Sequence, residues 1–172
     1  MSFIKKKILV TGAAGFLGSH LSEQLSNLGH DVVGIDSMIG GYEDNVPKNI
    51  KFIKMDCCDF ENIKKIMKNI NIVYHCAATA HEGLSVFSPF EITKNNYLAS
   101  VSIFSAAINN KVKRIIYCSS MARYGEQPTP FLETTKPFPV DPYAISKVAA
   151  EDVLINLCEL NNIEWVIAVP HN

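Results

Sequence analysis

The chain has 172 residues, 48% of them apolar and 19% charged, with a formal net charge of −1. That is one domain's length with enough apolar residues for a sizeable core, and it excludes a chain that works mainly through positive charge on nucleic acid. Its longest basic run, Lys5-Lys6-Lys7, leads into a short apolar stretch broken by glycines, so neither a signal peptide nor a membrane span is expected. The cysteines, Cys57, Cys58, Cys76, Cys118 and Cys158, are odd in number and include no C-x-x-C pair. They read as reduced thiols in a cytoplasmic protein, not as a disulfide framework or a zinc site.

Residues 8–18 read Ile-Leu-Val-Thr-Gly-Ala-Ala-Gly-Phe-Leu-Gly. The β-branched start predicts a buried strand over 8–10, and Gly12, Gly15 and Gly18 fall where strand gives way to helix. Gly12 permits a tight turn, Gly15 lets a diphosphate approach the backbone, and Gly18 lets the helix pack close to the strand. The N–H groups and dipole of that helix start then attract phosphate. Taken alone, such a triplet is equally an ordinary glycine turn.

Further strand and helix signals alternate almost to the end. A helix is predicted over 15–28 with Phe16, Leu17, His20, Leu21, Leu25 and Leu28 on one apolar stripe, closed by Gly29. Strands follow at 31–36, 50–55 and 72–76, separated by a loop at 38–48 and by a helix over 60–68 that Asp59 caps. After a loop at 79–89, one long helix is predicted over 91–110, with Ile92, Leu98, Ile103 and Ile108 among its apolar positions. A strand at 114–119, a long loop at 121–140, a helix at 141–160 and a strand at 164–169 complete the order. This alternation gives an α/β fold, a doubly wound parallel sheet with helices on both faces.

Asp36 ends the second strand, 18 residues past Gly18. A carboxylate there accepts hydrogen bonds from the adenosine ribose hydroxyls and repels a 2′-phosphate, which favours NAD over NADP. Asp56 ends the third strand, either beside the adenine or as a cap for the next helix. His75 reads as a core histidine, and the small Ala77 and Ala78 after it leave room for a dinucleotide. Tyr143 and Lys147 stand four apart on one helix face. An ammonium and a positively charged nicotinamide would both favour the phenolate, lowering a phenol from about 10 toward the working range. The pair Ser119-Ser120 ends the fifth strand on the ligand-binding side of such a sheet, so Ser120 can hydrogen-bond a reacting oxygen whose proton Tyr143 takes.

Taken together these residues resemble the first half of an extended short-chain dehydrogenase/reductase of the nucleotide-sugar epimerase and dehydratase type. The carriers are 11–18, Asp36, Asp56, His75-Cys76-Ala77-Ala78, Asn95-Asn96, 119–125 and Tyr143-Ala144-Ile145-Ser146-Lys147. The resemblance implies a Rossmann domain over 1–172 with strand order 3-2-1-4-5-6 and a substrate domain missing from this chain. It implies NAD bound by Gly12, Ala14, Gly15, Phe16, Leu17, Gly18, Asp36, Asp56, Cys57, Ala77, Ala78, Asn96, Ser119, Tyr143, Lys147 and Pro170. It implies catalysis by Ser120, Tyr143 and Lys147, and a nucleotide-sugar substrate, a UDP-sugar, met by Ser120, Met121, Tyr143 and Asn172. It further implies a homodimer through helices 91–110 and 141–160, and it leaves room for a second-half chain as partner.

Two departures select within the family. Dehydratases and decarboxylases of this type carry acidic residues where this chain has Met121, Ala122 and Arg123, so a 4-epimerase working through a transient 4-keto sugar is favoured. Ala80 stands where galactose epimerases often place a lysine that contacts the cofactor, which weakens assignment to that subgroup. The alternatives are another NAD-dependent nucleotide-sugar dehydratase or reductase, and a non-catalytic NAD-binding module that needs a partner chain.

Overall fold

The computed structural model describes residues 4–171. Strands β1 (Lys7–Thr11), β2 (Asp31–Asp36), β3 (Lys51–Lys54), β4 (Ile72–His75), β5 (Arg114–Cys118) and β6 (Glu164–Ala168) form one sheet. The order is β3-β2-β1-β4-β5-β6, every pair parallel, as the alternation and the resemblance implied. The chain reverses direction across the sheet between β1 and β4. In folds of this kind ligands bind outside the carboxyl ends of the strands at that point.

Helix α1 (Phe16–Asn27) covers one face, where Leu25 packs with Ile8, Val10 and Val32. The larger core lies on the other face, where α2 (Phe60–Ile66), α5 (Ala99–Asn109) and α6 (Pro142–Asn161) bury Ile63, Ile103, Phe104 and Leu154 against Leu9, Val73, Ile115 and Tyr117. His75 sits inside this core. Its Nδ1 lies 2.7 Å from the Thr11 hydroxyl and its Nε2 lies 2.9 Å from the Ser100 hydroxyl, joining β1, β4 and α5. It stacks on Tyr117 and meets the edge of Phe104, as a core histidine should.

Of the apolar stripe expected on α1, only Leu21 and Leu25 pack against the sheet. Gly18, Ser19, Ser22 and Leu25 face the sheet, whereas Phe16 is 81% exposed and Leu17, His20 and Leu28 also reach solvent. Small residues let this helix lie close to β1 and β2, and bulk at those positions would lift it away. The single helix expected over 91–110 has three parts: α4 (Pro89–Ile92), a π-helical segment Thr93–Leu98, and α5. Leu98, expected among the apolar positions of that helix, is exposed because it lies off the buried line formed by Ile92, Asn96, Ala99 and Ile103. The loop at 79–89 contains one helical turn, α3 (Glu82–Ser85), and the loop at 121–140 opens with a 3₁₀ turn, Met121–Tyr124. Asp59 caps α2 by accepting from the Asn62 N–H. Among the described residues no helix is long and apolar enough to cross a membrane.

Candidate active site

A cavity of about 500 Å³ opens at the carboxyl ends of β1, β2, β4 and β5. Its floor is the glycine turn. Gly12 adopts φ +72°, and a Cβ there would lie 2.9 Å from the Ala77 nitrogen, so only glycine lets the turn pass under the end of β4. A Cβ on Gly18 would run into the Gly12 carbonyl, which explains how α1 packs so near β1. Gly15, Phe16, Leu17 and Gly18 all line the cavity, placing the start of α1 against it. A glycine-lined backbone turn at a helix N-terminus fits the diphosphate of a dinucleotide.

Asp36, at the end of β2, lines the same cavity and is 8% exposed. Its Oδ2 accepts from the Ala14 N–H at 3.0 Å and its Oδ1 from the Met38 N–H at 2.8 Å. Each carboxylate oxygen keeps a lone pair, so these bonds orient the group without exhausting it. Asp56 and Cys57 line the cavity at the end of β3, and Asp56 Oδ1 accepts from the Cys58 N–H at 2.8 Å. Burial holds the Cys58 thiol at about 11 and drives the Cys57 thiol higher still, so Cys57 is an uncharged part of the cavity wall.

On the opposite wall β5 and α6 bring together Ser119, Ser120, Tyr143 and Lys147. Asp141 starts α6 by accepting from the Ala144 N–H at 2.9 Å, and the spacing of four then turns Tyr143 and Lys147 to one buried face. Lys147 Nζ donates to the Cys118 carbonyl at 2.8 Å and lies 5.8 Å from the Tyr143 ring centroid. Burial lowers the ammonium to about 8. Burial also raises the Tyr143 phenol above its ordinary value, with the neighbouring Ser120 hydroxyl pulling the other way. The expected downward shift is therefore not produced by the chain's own groups. The ammonium is turned to the Cys118 carbonyl, and desolvation of the phenolate dominates.

The other expected residues fall around this centre. Ala78 and Pro170 line the cavity, and the Ala77 N–H donates to the Thr11 hydroxyl at 3.1 Å. Asn96 is buried, donates to the Thr79 carbonyl and accepts the Thr79 N–H at 2.7 Å, so it holds the loop after β4 while Asn95 lines the cavity. Met121 donates its N–H to the Pro170 carbonyl. Asn172 lies outside the described residues.

Two carboxylates in this region went unnoticed in the sequence. Glu82, on α3, lines the cavity, and its charge acts on Tyr143. It stands in a stretch that reads only as loop. Glu151 is 2% exposed on α6, accepts from the Ser119 hydroxyl and pairs with Arg123 at 2.8 Å. Its position four residues after Lys147 was a usable signal, since that spacing repeats the face carrying Tyr143 and Lys147.

The sheet order, the glycine turn at its switch point and the acid at the end of β2 define a Rossmann-type α/β domain. Residues 8–172 match the NAD dependent epimerase/dehydratase family, and the chain belongs to it. A probable UDP-arabinose 4-epimerase of Oryza sativa subsp. japonica is 33% identical over 161 residues, 87% of this chain and 40% of that protein. A UDP-N-acetylglucosamine 4-epimerase from Methanobrevibacter ruminantium, solved with UDP-N-acetylmuramic acid, superimposes with TM-score 0.90 at 35% identity, over 96% of this chain and 54% of that one. The Thermus thermophilus UDP-glucose 4-epimerase, solved with NAD, gives TM-score 0.89 at 34% identity, over 94% and 53%. The chain thus spans about half the length of the relatives it matches.

Proposed function

We propose that this chain supplies the cofactor-binding and proton-handling half of an NAD-dependent UDP-sugar 4-epimerase. The observation that carries the reading is the convergence of Ser120, Tyr143 and Lys147 on the cavity floored by Gly12. The glycine turn and the start of α1 would hold the diphosphate of NAD, and Asp36 its adenosine ribose. NAD, when bound, supplies the acceptor that takes a hydride from the sugar carbon and returns it. Tyr143 takes the proton from the sugar 4-hydroxyl and gives it back once the 4-keto sugar has turned over. Ser120 hydrogen-bonds the same oxygen and favours the phenolate, with the positive charge of bound NAD acting in the same direction, and Lys147 would grip the nicotinamide ribose.

The test is conversion between UDP-glucose and UDP-galactose, or UDP-xylose and UDP-arabinose, by this chain with NAD, alone and with a polypeptide resembling the second half of the relatives. Turnover that falls about 10²- to 10⁴-fold in Tyr143→Phe supports the reading. Unchanged turnover in that variant overturns it. NAD binding without turnover in every mixture favours a non-catalytic dinucleotide-binding module instead.

Glu82 favours a second reading, a dehydratase-like reaction. It puts into the cavity the kind of carboxylate that Met121, Ala122 and Arg123 do not supply. A product one water lighter than the substrate by mass spectrometry, lost in Glu82→Gln, would establish that reaction over epimerisation.

A further inference from the structure

Glu151 is a nearly fully buried carboxylate that does not itself line the cavity, yet both its oxygens are used. Oε1 accepts the Ser119 hydroxyl at the end of β5, and Oε2 lies 2.8 Å from Arg123 Nη2 in the 3₁₀ turn that follows. Ser119 and Arg123 bracket Ser120, so one carboxylate pins both ends of the segment that carries the serine. The segment is tied further by the Arg123 N–H donating to the Ser120 carbonyl at 3.2 Å and the Phe138 N–H donating to the Arg123 carbonyl at 2.8 Å. The guanidinium lies 5.0 Å from the Tyr124 ring centroid, and its side chain is only 14% exposed. Glu151 itself stands on α6, one turn beyond Lys147 and two beyond Tyr143.

A buried ion pair is weak support for stability, because desolvating two charges offsets their attraction. What this pair does supply is a fixed distance between two elements. We propose that Arg123 and Glu151 are positioning residues that lock the Ser119–Tyr124 segment to α6, and so hold the Ser120 hydroxyl at a set place relative to Tyr143 and Lys147. The roles of Ser120 and Tyr143 rest on the function proposed above, but the lock itself does not. Glu151 reaches no cavity residue except through Ser119 and through its charge on Lys147.

The experiment compares Arg123→Met, Glu151→Met and the double variant in the full chain. Each single variant strands a buried charge and lowers the melting midpoint. The double variant removes both charges and recovers it. Positioning makes a separate demand. In the double variant, amide hydrogen exchange across residues 119–124 stays at least about tenfold faster than in the parent, while β1 and β4 exchange as before. In turnover assays kcat falls about ten- to a hundredfold with KM for the sugar nucleotide nearly constant. Glu151→Gln, which keeps an acceptor for Ser119, recovers part of both losses. A double variant with parental melting and parental exchange over 119–124 overturns the proposal. Absence of turnover in the parent would count against the epimerase reading alone, because the exchange measurement decides the lock without it.

Discussion

The Ala14 N–H donates to Asp36 Oδ2 at 3.0 Å, so the carboxylate at the end of β2 is fastened to the glycine turn after β1. The acid proposed to meet the ribose and the turn proposed to hold the diphosphate are thereby joined directly. By calorimetry, the parent chain is expected to bind NAD at least about tenfold more tightly than NADP, about 1.4 kcal/mol. Asp36→Ser should weaken NAD binding and narrow that preference, because it removes the hydrogen-bond acceptor and the repulsion together. Tighter binding of NADP by the parent would refute the role given to Asp36.

Lys147 gives a second expectation. Burial lowers its folded-state ammonium to about 8, whereas the unfolded chain keeps an ordinary lysine value near 10.5. Between those values the unfolded state holds more protons, so this residue's contribution to stability rises with pH through the window and is an undiminished penalty below it. The buried thiols act with the opposite sign, since burial raises Cys76 to about 12. The difference between parent and Lys147→Met therefore reports the lysine together with its effect on the neighbouring Cys76 and Cys118 thiols. In urea denaturation the variant should be at least as stable as the parent near pH 7, and the parent should gain on it from pH 8 to about 10.5. A difference that stays flat with pH would exclude a buried ammonium.

The strands and the two ends of the cavity were legible because each rests on local chemistry, whereas the strand order followed only from the family resemblance. A β-branched run, a glycine triplet and a spacing of four are visible in any window of the sequence. Three features were not visible in this way. The buried face of α1 is set by how closely the helix must approach β1, which makes Ser19 and Ser22 core residues and Phe16 a surface one. The π segment at Thr93–Leu98 keeps an unbroken helical pattern in sequence, and there the polar Asn96 takes the buried place while the apolar Leu98 faces out. The Tyr143 phenol depends on burial and on where the Lys147 ammonium points, and neither can be read from their spacing.

His75 gives a third expectation, for stability. Its two ring nitrogens meet the Thr11 and Ser100 hydroxyls, and the Thr11 hydroxyl also takes the Ala77 N–H beside the glycine turn. Replacing it with leucine should cost about 2–4 kcal/mol in chemical denaturation, because buried hydroxyls lose partners as well as packing. Burial lowers its folded-state imidazolium value to about 3, against about 6.5 unfolded. The unfolded chain therefore gains the proton first, and stability drains away as pH falls from 6.5 toward 3. That slope should be missing from His75→Leu over pH 6.5 to 4.5, and its persistence would place the acid sensitivity elsewhere.

The last expectation concerns self-association. Leu98 is 52% exposed in the π segment and Ile145 is 53% exposed on α6, and these two elements pack side by side. Apolar side chains on adjacent long helices make a face suited to a second copy of the same face, the arrangement that closes a four-helix contact with two-fold symmetry. Sedimentation of the parent should show a dimer. Leu98→Glu and Ile145→Glu, each placing like charges across such an axis, should shift it to monomer. NAD affinity should stay within about twofold of the parent, because neither residue lines the cavity. A parent that sediments as a monomer, or glutamate variants that still dimerise, would rule out this face as the contact.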